Sequence, residues 1–279
     1  MQRINILPVF LSTYKSYLVT IFLIFSYTCS YGQDIEVAPA RINFNAQPGE
    51  GQTRTVTVKN HGNKKETITL RMYDFLVNRE GEIETLPAGS TRNSISNWVN
   101  LNPTFLELQP SQSGTVQINL QSSSEDYSAK WGILSFTSTV EQTAFTADQE
   151  VQTGLSLMGR IDIYLNYNPL TMEAHRLEIN RLQEVESTQP GERMFTVNIE
   201  NTGEQITNAK VFLIASQLET AEEHRFKTTE INVYPQSIRT VLLSFPEDEL
   251  PTGEYSLAAI IDYAGSTSLK GTQIIIDVE

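Results

Sequence analysis

Between residues 155 and 166 apolar and polar positions alternate without a break. Leu155, Leu157, Gly159, Ile161, Ile163 and Leu165 fall on one side, and Ser156, Met158, Arg160, Asp162, Tyr164 and Asn166 on the other. A period of two sustained over that length predicts one long β-strand, ended by Asn168-Pro169. The same period fills the chain before it in shorter runs. Val56 and Val58 alternate with Thr55, Thr57 and Lys59 in a strand expected over 53–60, and Ile68, Leu70 and Met72 share one face of a strand expected over 67–77. Asn60-His61-Gly62-Asn63 and Asn78-Arg79-Glu80-Gly81 supply the turn chemistry that closes these two strands. Further strands are expected at 41–44, 96–101, 105–108, 115–120 and 130–140, with a looser stretch up to Ser90. Trp131 opens an inward alternation with Ile133 and is expected in the core.

After Pro169 the pattern restarts. Runs at 177–185, 195–201, 209–216, 225–233, 238–245, 254–263 and 269–278 make seven candidate strands, the number of a minimal immunoglobulin-like sandwich. Pro251-Thr252-Gly253-Glu254-Tyr255 places the Tyr255 hydroxyl within reach of nearby backbone, as in a tyrosine corner. With strand after strand, polar turns and no helical period, the chain is predicted to be all-β: two tandem immunoglobulin-like β-sandwiches, residues 33–168 and 169–279.

Residues 1–32 are expected to be a signal peptide cut before Gln33. Arg3 and Lys15 are the only charges before Asp34, Leu18 to Phe25 is a short apolar run, and Ser30-Tyr31-Gly32 offers small residues at the cleavage site. That run is shorter than the roughly 18 residues of a spanning helix, so no direct membrane insertion is expected. Cys29 is a competing signal, because lipoproteins are cut before a lipidated cysteine, but Ser26-Tyr27-Thr28 lacks the usual leucine and small residue. Removing 32 residues from 279 leaves 247, with no cysteine, so packing and ladder hydrogen bonds must hold both sandwiches. Removing Arg3 and Lys15 from the 20 basic residues leaves 18 against 33 acidic ones, a formal charge of −15. Nucleic acid needs a cationic footprint and is excluded as a partner on that ground.

Little in the chain points to catalysis. His61, His175 and His224 are far apart, lack zinc-ligand spacing and are expected at the surface. No phosphate-cradling glycine loop and no Gly-x-Ser-x-Gly elbow occurs. Glu125-Asp126 and Glu247-Asp248-Glu249 fall in expected loops without the alternating ligands of a calcium site. No metal, no cofactor and no enzymatic activity are therefore expected. Trp98, between Asn97 and Val99, is ambiguous between packing and a carbohydrate platform.

The first half resembles the amino-terminal domain of PapD-like periplasmic chaperones. The likeness runs through Ala40-Arg41-Ile42-Asn43-Phe44, Thr53 to Asn60, Pro103 to Pro110, Trp131 in the penultimate strand, and Gly159-Arg160-Ile161-Asp162-Ile163-Tyr164 before Pro169. The second half is similar to the generic immunoglobulin-like modules of bacterial envelope proteins. In the chaperone family an Arg of the opening strand and a Lys of the last strand hold a client's carboxy-terminal carboxylate between the domains. Arg41 stands in the first place. The second falls on Asp162, or on Tyr164 when the strand is counted back from Pro169, and neither replaces a lysine. The resemblance implies an exported protein, in the periplasm or at the cell surface of a Gram-negative-type envelope. Its expected partner is an envelope or secreted protein, bound by strand addition with Arg41, Leu155, Leu157 and Ile161 as contacts. The alternative is a structural accessory subunit of an adhesion, gliding or type IX secretion complex.

Overall fold

The computed structural model describes residues 35–140, 159–170, 175–264 and 269–279. The expectations for the signal peptide, Cys29, Leu155 and Leu157 fall outside these residues.

Ten strands build the first sandwich: β1 (Ile35–Ala38), β2 (Arg41–Ala46), β3 (Gly51–Asn60), β4 (Glu66–Val77), β5 (Ile83–Pro87), β6 (Val99–Asn102), β7 (Phe105–Leu108), β8 (Ser113–Gln121), β9 (Lys130–Val140) and β10 (Arg160–Pro169). One sheet has the order β1-β3-β8-β6, the other β2-β10-β9-β4-β5 with β7 also on β4. β2 and β10 pair in parallel, Arg41 opposite Tyr164. Between the sheets Val56, Val58, Val116 and Ile118 of one meet Ile68, Leu134, Phe136, Ile163 and Leu165 of the other, all buried. Burying each such side chain contributes about 1.5–3 kcal/mol, which is how a chain without disulfides holds the two layers together.

Eight strands build the second: β11 (Leu177–Val185), β12 (Glu192–Asn201), β13 (Thr207–Gln217), β14 (Glu223–Arg225), β15 (Thr229–Val233), β16 (Ile238–Pro246), β17 (Gly253–Tyr263) and β18 (Lys270–Val278). They form a β11-β12-β16 sheet facing a β14-β13-β17-β18 sheet that also carries β15 on β13. The Tyr255 hydroxyl donates to the Pro251 carbonyl at 2.9 Å, the corner expected from the sequence.

One device recurs in both sandwiches. Asn60 ends β3 fully buried, its amide donating to the carbonyls of Lys64 and Leu108 while its Oδ1 accepts from the Gly62 N–H. Asn201 ends β12 in the same way, donating to Gln205 and Val233 and accepting from Gly203. Each side chain satisfies backbone groups that a turn leaves inside the protein. The sequence signal is the shared Asn-x-Gly that closes both strands.

The structure corrects three expectations of the strand pattern and refines a fourth, the burial of Trp131. β1 and β5 were not anticipated: β1 has four residues, and β5 shows no buried face, so neither carries a legible period. Residues 96–98 form a 3-10 turn before β6, where a continuous strand was expected. The strand expected over 225–233 is two, β14 and β15, separated at 226–228. Trp131 and Ile133 are buried, but not between the sheets of their own sandwich: Leu134 and Phe136 take that side of β9, and Trp131 and Ile133 face Ile206 and Tyr234 of the second sandwich.

Candidate functional site

Alternation along β10 sends Ile163, Leu165 and Tyr167 into the core and Arg160, Asp162, Tyr164, Asn166 and Asn168 to the opposite face. That face meets the second sandwich. Phe75, Trp131, Ile133, Ile206 and Tyr234 form a separate apolar cluster, with Tyr164 against its edge. The Tyr234 ring stands edge-on to Phe75 at 5.4 Å and tilted to Trp131 at 4.9 Å, and Phe75 meets Tyr164 edge-on at 5.7 Å. The Trp131 indole N–H donates to the Phe75 carbonyl at 2.9 Å, satisfying its one polar atom in this setting. Around the cluster, Asn168 exchanges two hydrogen bonds with the Ile206 backbone, and the Glu204 carbonyl accepts from the Ala129 N–H. Arg92 pairs with Glu204 at 3.0 Å. The β4–β5 turn reaches across as well, its Arg79 carbonyl accepting from the Thr240 N–H of edge strand β16 at 2.7 Å.

Arg41 sits at the rim of this junction. Its guanidinium lies 5.5 Å from the centre of the Tyr164 ring, and its side chain is exposed. Among the described residues no carboxylate pairs with it. Burial pushes the Tyr234 hydroxyl up to about 12, with the charges of Arg41 and Arg239 pulling the other way. Two arginines from different sandwiches thus bear on one buried tyrosine. Arg239 packs beneath the backbone of Gly81, and its buried Nε has no hydrogen-bond partner among the described residues.

The edge of β10 runs up to the same place. Its ladder with β9 begins at Arg160, but its ladder with β2 begins only at Tyr164. The Tyr164 N–H points outward and donates to the Ala40 carbonyl at 3.0 Å. Strand alternation then turns the N–H and C=O of Arg160 and Asp162 to the same outer side. No described strand covers that side from Arg160 to Ile163. Beside it Arg160 donates to Asp162 at 2.9 Å and extends over the Tyr73 ring at 4.9 Å. The hydrogen bond to Asp162 raises the Arg160 pKa.

No family profile matches the chain, and no curated protein matches it in sequence. Several solved structures are similar in fold. The class 5 fimbriae chaperone CfaA is 12% identical, with 86% of this chain and 98% of that chain covered at a TM-score of 0.47. The E. coli chaperone DraB is 14% identical over 86% and 98%, at 0.42. The SafB chaperone, solved with the Salmonella enterica SafA pilin, belongs to a structure 12% identical over 88% and 99%, at 0.42. The chain is all-β and similar in fold to PapD-like chaperones.

Arg41 therefore lies at the junction, with Tyr164 rather than Asp162 across from it in register. Asp162 is held by Arg160, so its charge is not left free to repel an anion. Ile161 is half-buried and packs against its own core. His175 is half-buried with Nδ1 2.8 Å from Thr207 Oγ1, not at the surface as expected, and burial lowers its pKa. Tyr234 and Arg239 escape sequence reasoning altogether. Each sits in an ordinary strand or turn context, and only the docking of the two sandwiches gives it a role.

Proposed function

We propose that the protein is a non-enzymatic, exported protein-binding protein, a periplasmic chaperone or assembly factor. It takes an extended segment of an envelope or secreted protein as an added strand on β10. The units 33–168 and 169–279 act together, the first presenting the edge and both framing its end. The observation that carries this reading is the stretch Arg160–Ile163, uncovered among the described residues, whose outward N–H and C=O groups run directly to Arg41. Main-chain bonds there would supply affinity without sequence preference, and Arg41 would receive an acidic group or chain terminus of the client. Leu155 and Leu157, the further contacts expected from the sequence, lie outside the described residues.

A second reading has support of its own. The aromatic cluster and the Arg79–Thr240 and Asn168–Ile206 hydrogen bonds brace the sandwiches against each other, as a rigid structural subunit of a surface or secretion complex would require. Site-specific photo-cross-linking separates the outcomes. A cross-linker at position 162 should capture a discrete envelope protein, while one at Thr55, on the outer face of the other sheet, should not. Capture from both positions or from neither would remove the edge from the reading. A complex that survives purification in fixed stoichiometry would favour the subunit over the chaperone.

A further inference from the structure

Away from the edge and the junction, the outer face of the β1-β3-β8-β6 sheet carries a groove of about 480 Å³ beside the 3-10 turn. None of the ten residues that line it is charged. Thr53, Asn119 and Asn100 stand in one cross-strand row, Asn97 and the half-buried Trp98 form the wall, and Gln121 closes the end opposite Gly51. A side chain at position 51 would meet Gln121 Oε1 at 3.0 Å, so glycine keeps that end open.

The polar groups here are only partly used within the protein. Asn119 accepts from the Thr53 hydroxyl at 2.7 Å through Oδ1, and its Nδ2 has no partner among the described residues. Gln121 donates through Nε2 to the Gly49 carbonyl at 3.0 Å, leaving Oε1 to the groove. The amides of Asn97 and Asn100 and the indole N–H of Trp98 have no hydrogen-bond partner among the described residues, whereas the Trp131 indole N–H is satisfied. Trp98 is held in place by Tyr167, edge-on at 5.3 Å, and by the Lys130 ammonium 5.2 Å from its ring centre.

At the groove Asn119 of β8 is paired on both sides, with Thr53 and with Asn100, so a ligand on this face meets the side chains of that row. Amides offer donors and acceptors side by side, which matches vicinal hydroxyl groups, and the indole offers an apolar wall for the C–H face of a sugar ring. The uncharged lining, on a chain of formal charge −13, gives no counter-charge to a phosphate, sulfate or uronate. We propose that this groove is a binding site for a neutral saccharide. It is independent of the strand edge on the opposite sheet.

The test uses the full chain titrated with maltohexaose, cellohexaose, xylohexaose, mannohexaose and chitohexaose, each to about 10 mM, a ceiling that detects even millimolar affinity. Heteronuclear NMR follows the Trp98 indole and the Asn100 and Asn119 amides. At least one sugar should shift all three saturably. Asn100→Ala and Asn119→Ala, neither in the core, should keep the melting temperature and weaken binding about tenfold or more, roughly 1.4 kcal/mol. No saturable shift with any sugar overturns the proposal, and so does binding that both variants leave unchanged. Binding of polygalacturonate or heparin in place of the neutral sugars overturns it too.

Discussion

If β10 receives a client strand between Arg160 and Ile163, a proline at position 162 should separate binding from folding. The Asp162 N–H faces outward with no described strand opposite, so Asp162→Pro removes no ladder bond within the protein, and proline is tolerated on such an edge. The variant does lose the Arg160–Asp162 ion pair at 2.9 Å, whose side chains are 43% and 32% exposed. An ion pair so exposed contributes at most about 1 kcal/mol, which in a chain of this size moves the melting temperature by about 2–4 °C. Binding loses more. One main-chain hydrogen bond contributes about 0.5–1.5 kcal/mol, and the ring holds the incoming strand away from its neighbours, so a loss of about 1.5–3 kcal/mol, or tenfold to a hundredfold in affinity, is expected. Asp162→Ala isolates the ion-pair contribution and should retain binding. Thermal melts of the three proteins, with partner recovery after photo-cross-linking from a neighbouring position, give both readouts. Normal recovery with Asp162→Pro would refute the argument. A fall of about 10 °C in melting temperature would also refute it, since that would mean the edge is already covered in the free protein.

Gly81→Ala should loosen the junction, because the residue has φ +93° and a Cβ there would displace the Arg239 guanidinium; calorimetry should show one transition becoming two. Asn201→Ala removes the side-chain donor to the Val233 carbonyl and the acceptor of the Gly203 N–H, and leaves the Gln205 carbonyl to the Thr207 hydroxyl, with an expected cost of about 1–3 kcal/mol by denaturant titration. His175 has its pKa lowered from 6.5 by burial. Its contribution to stability is therefore complete above pH 6.5 and declines as pH falls below that value toward its lower folded pKa. His175→Gln should flatten that part of the stability profile, and an unchanged slope would show that the folded protein tolerates the charged ring.

What was legible in the sequence follows from which faces are buried. Strands with one wet and one dry face, such as β7 and β11, match the expected boundaries residue for residue. β5 is exposed along nearly all its length and so has no pattern to read. Trp131 and Ile133 show a subtler limit: alternation reveals that two faces differ, but not which dry surface each one meets. Here both faces of β9 are buried, one by its own sandwich and one by its neighbour. The Arg41 position was legible only through resemblance, because nothing in its local sequence marks an arginine that lies over a tyrosine at a domain junction. Arg239 left no signal at all, since its partner Gly81 is distant in sequence and belongs to the other sandwich.

The pairing of Arg41 with Tyr164 also alters what the missing lysine means. A lysine would add a second mobile charge beside Arg41 and strengthen the hold on any carboxylate. Tyr164 does the opposite. Its ring takes up one side of the guanidinium at 5.5 Å and ties it to the Phe75–Tyr234–Trp131 cluster. Arg41 therefore stands against an aromatic base of its own sandwich, Tyr164 and Phe75, to which the second sandwich adds Tyr234. A side chain fixed in this way loses less freedom on binding than one that must be ordered, which offsets part of the charge that is absent. In the proposed reading, the strand edge of the first sandwich and the docking of the second contribute to one site. Separating the domains should then remove Tyr234 from that base while leaving the Arg41–Tyr164 contact and β10 in place.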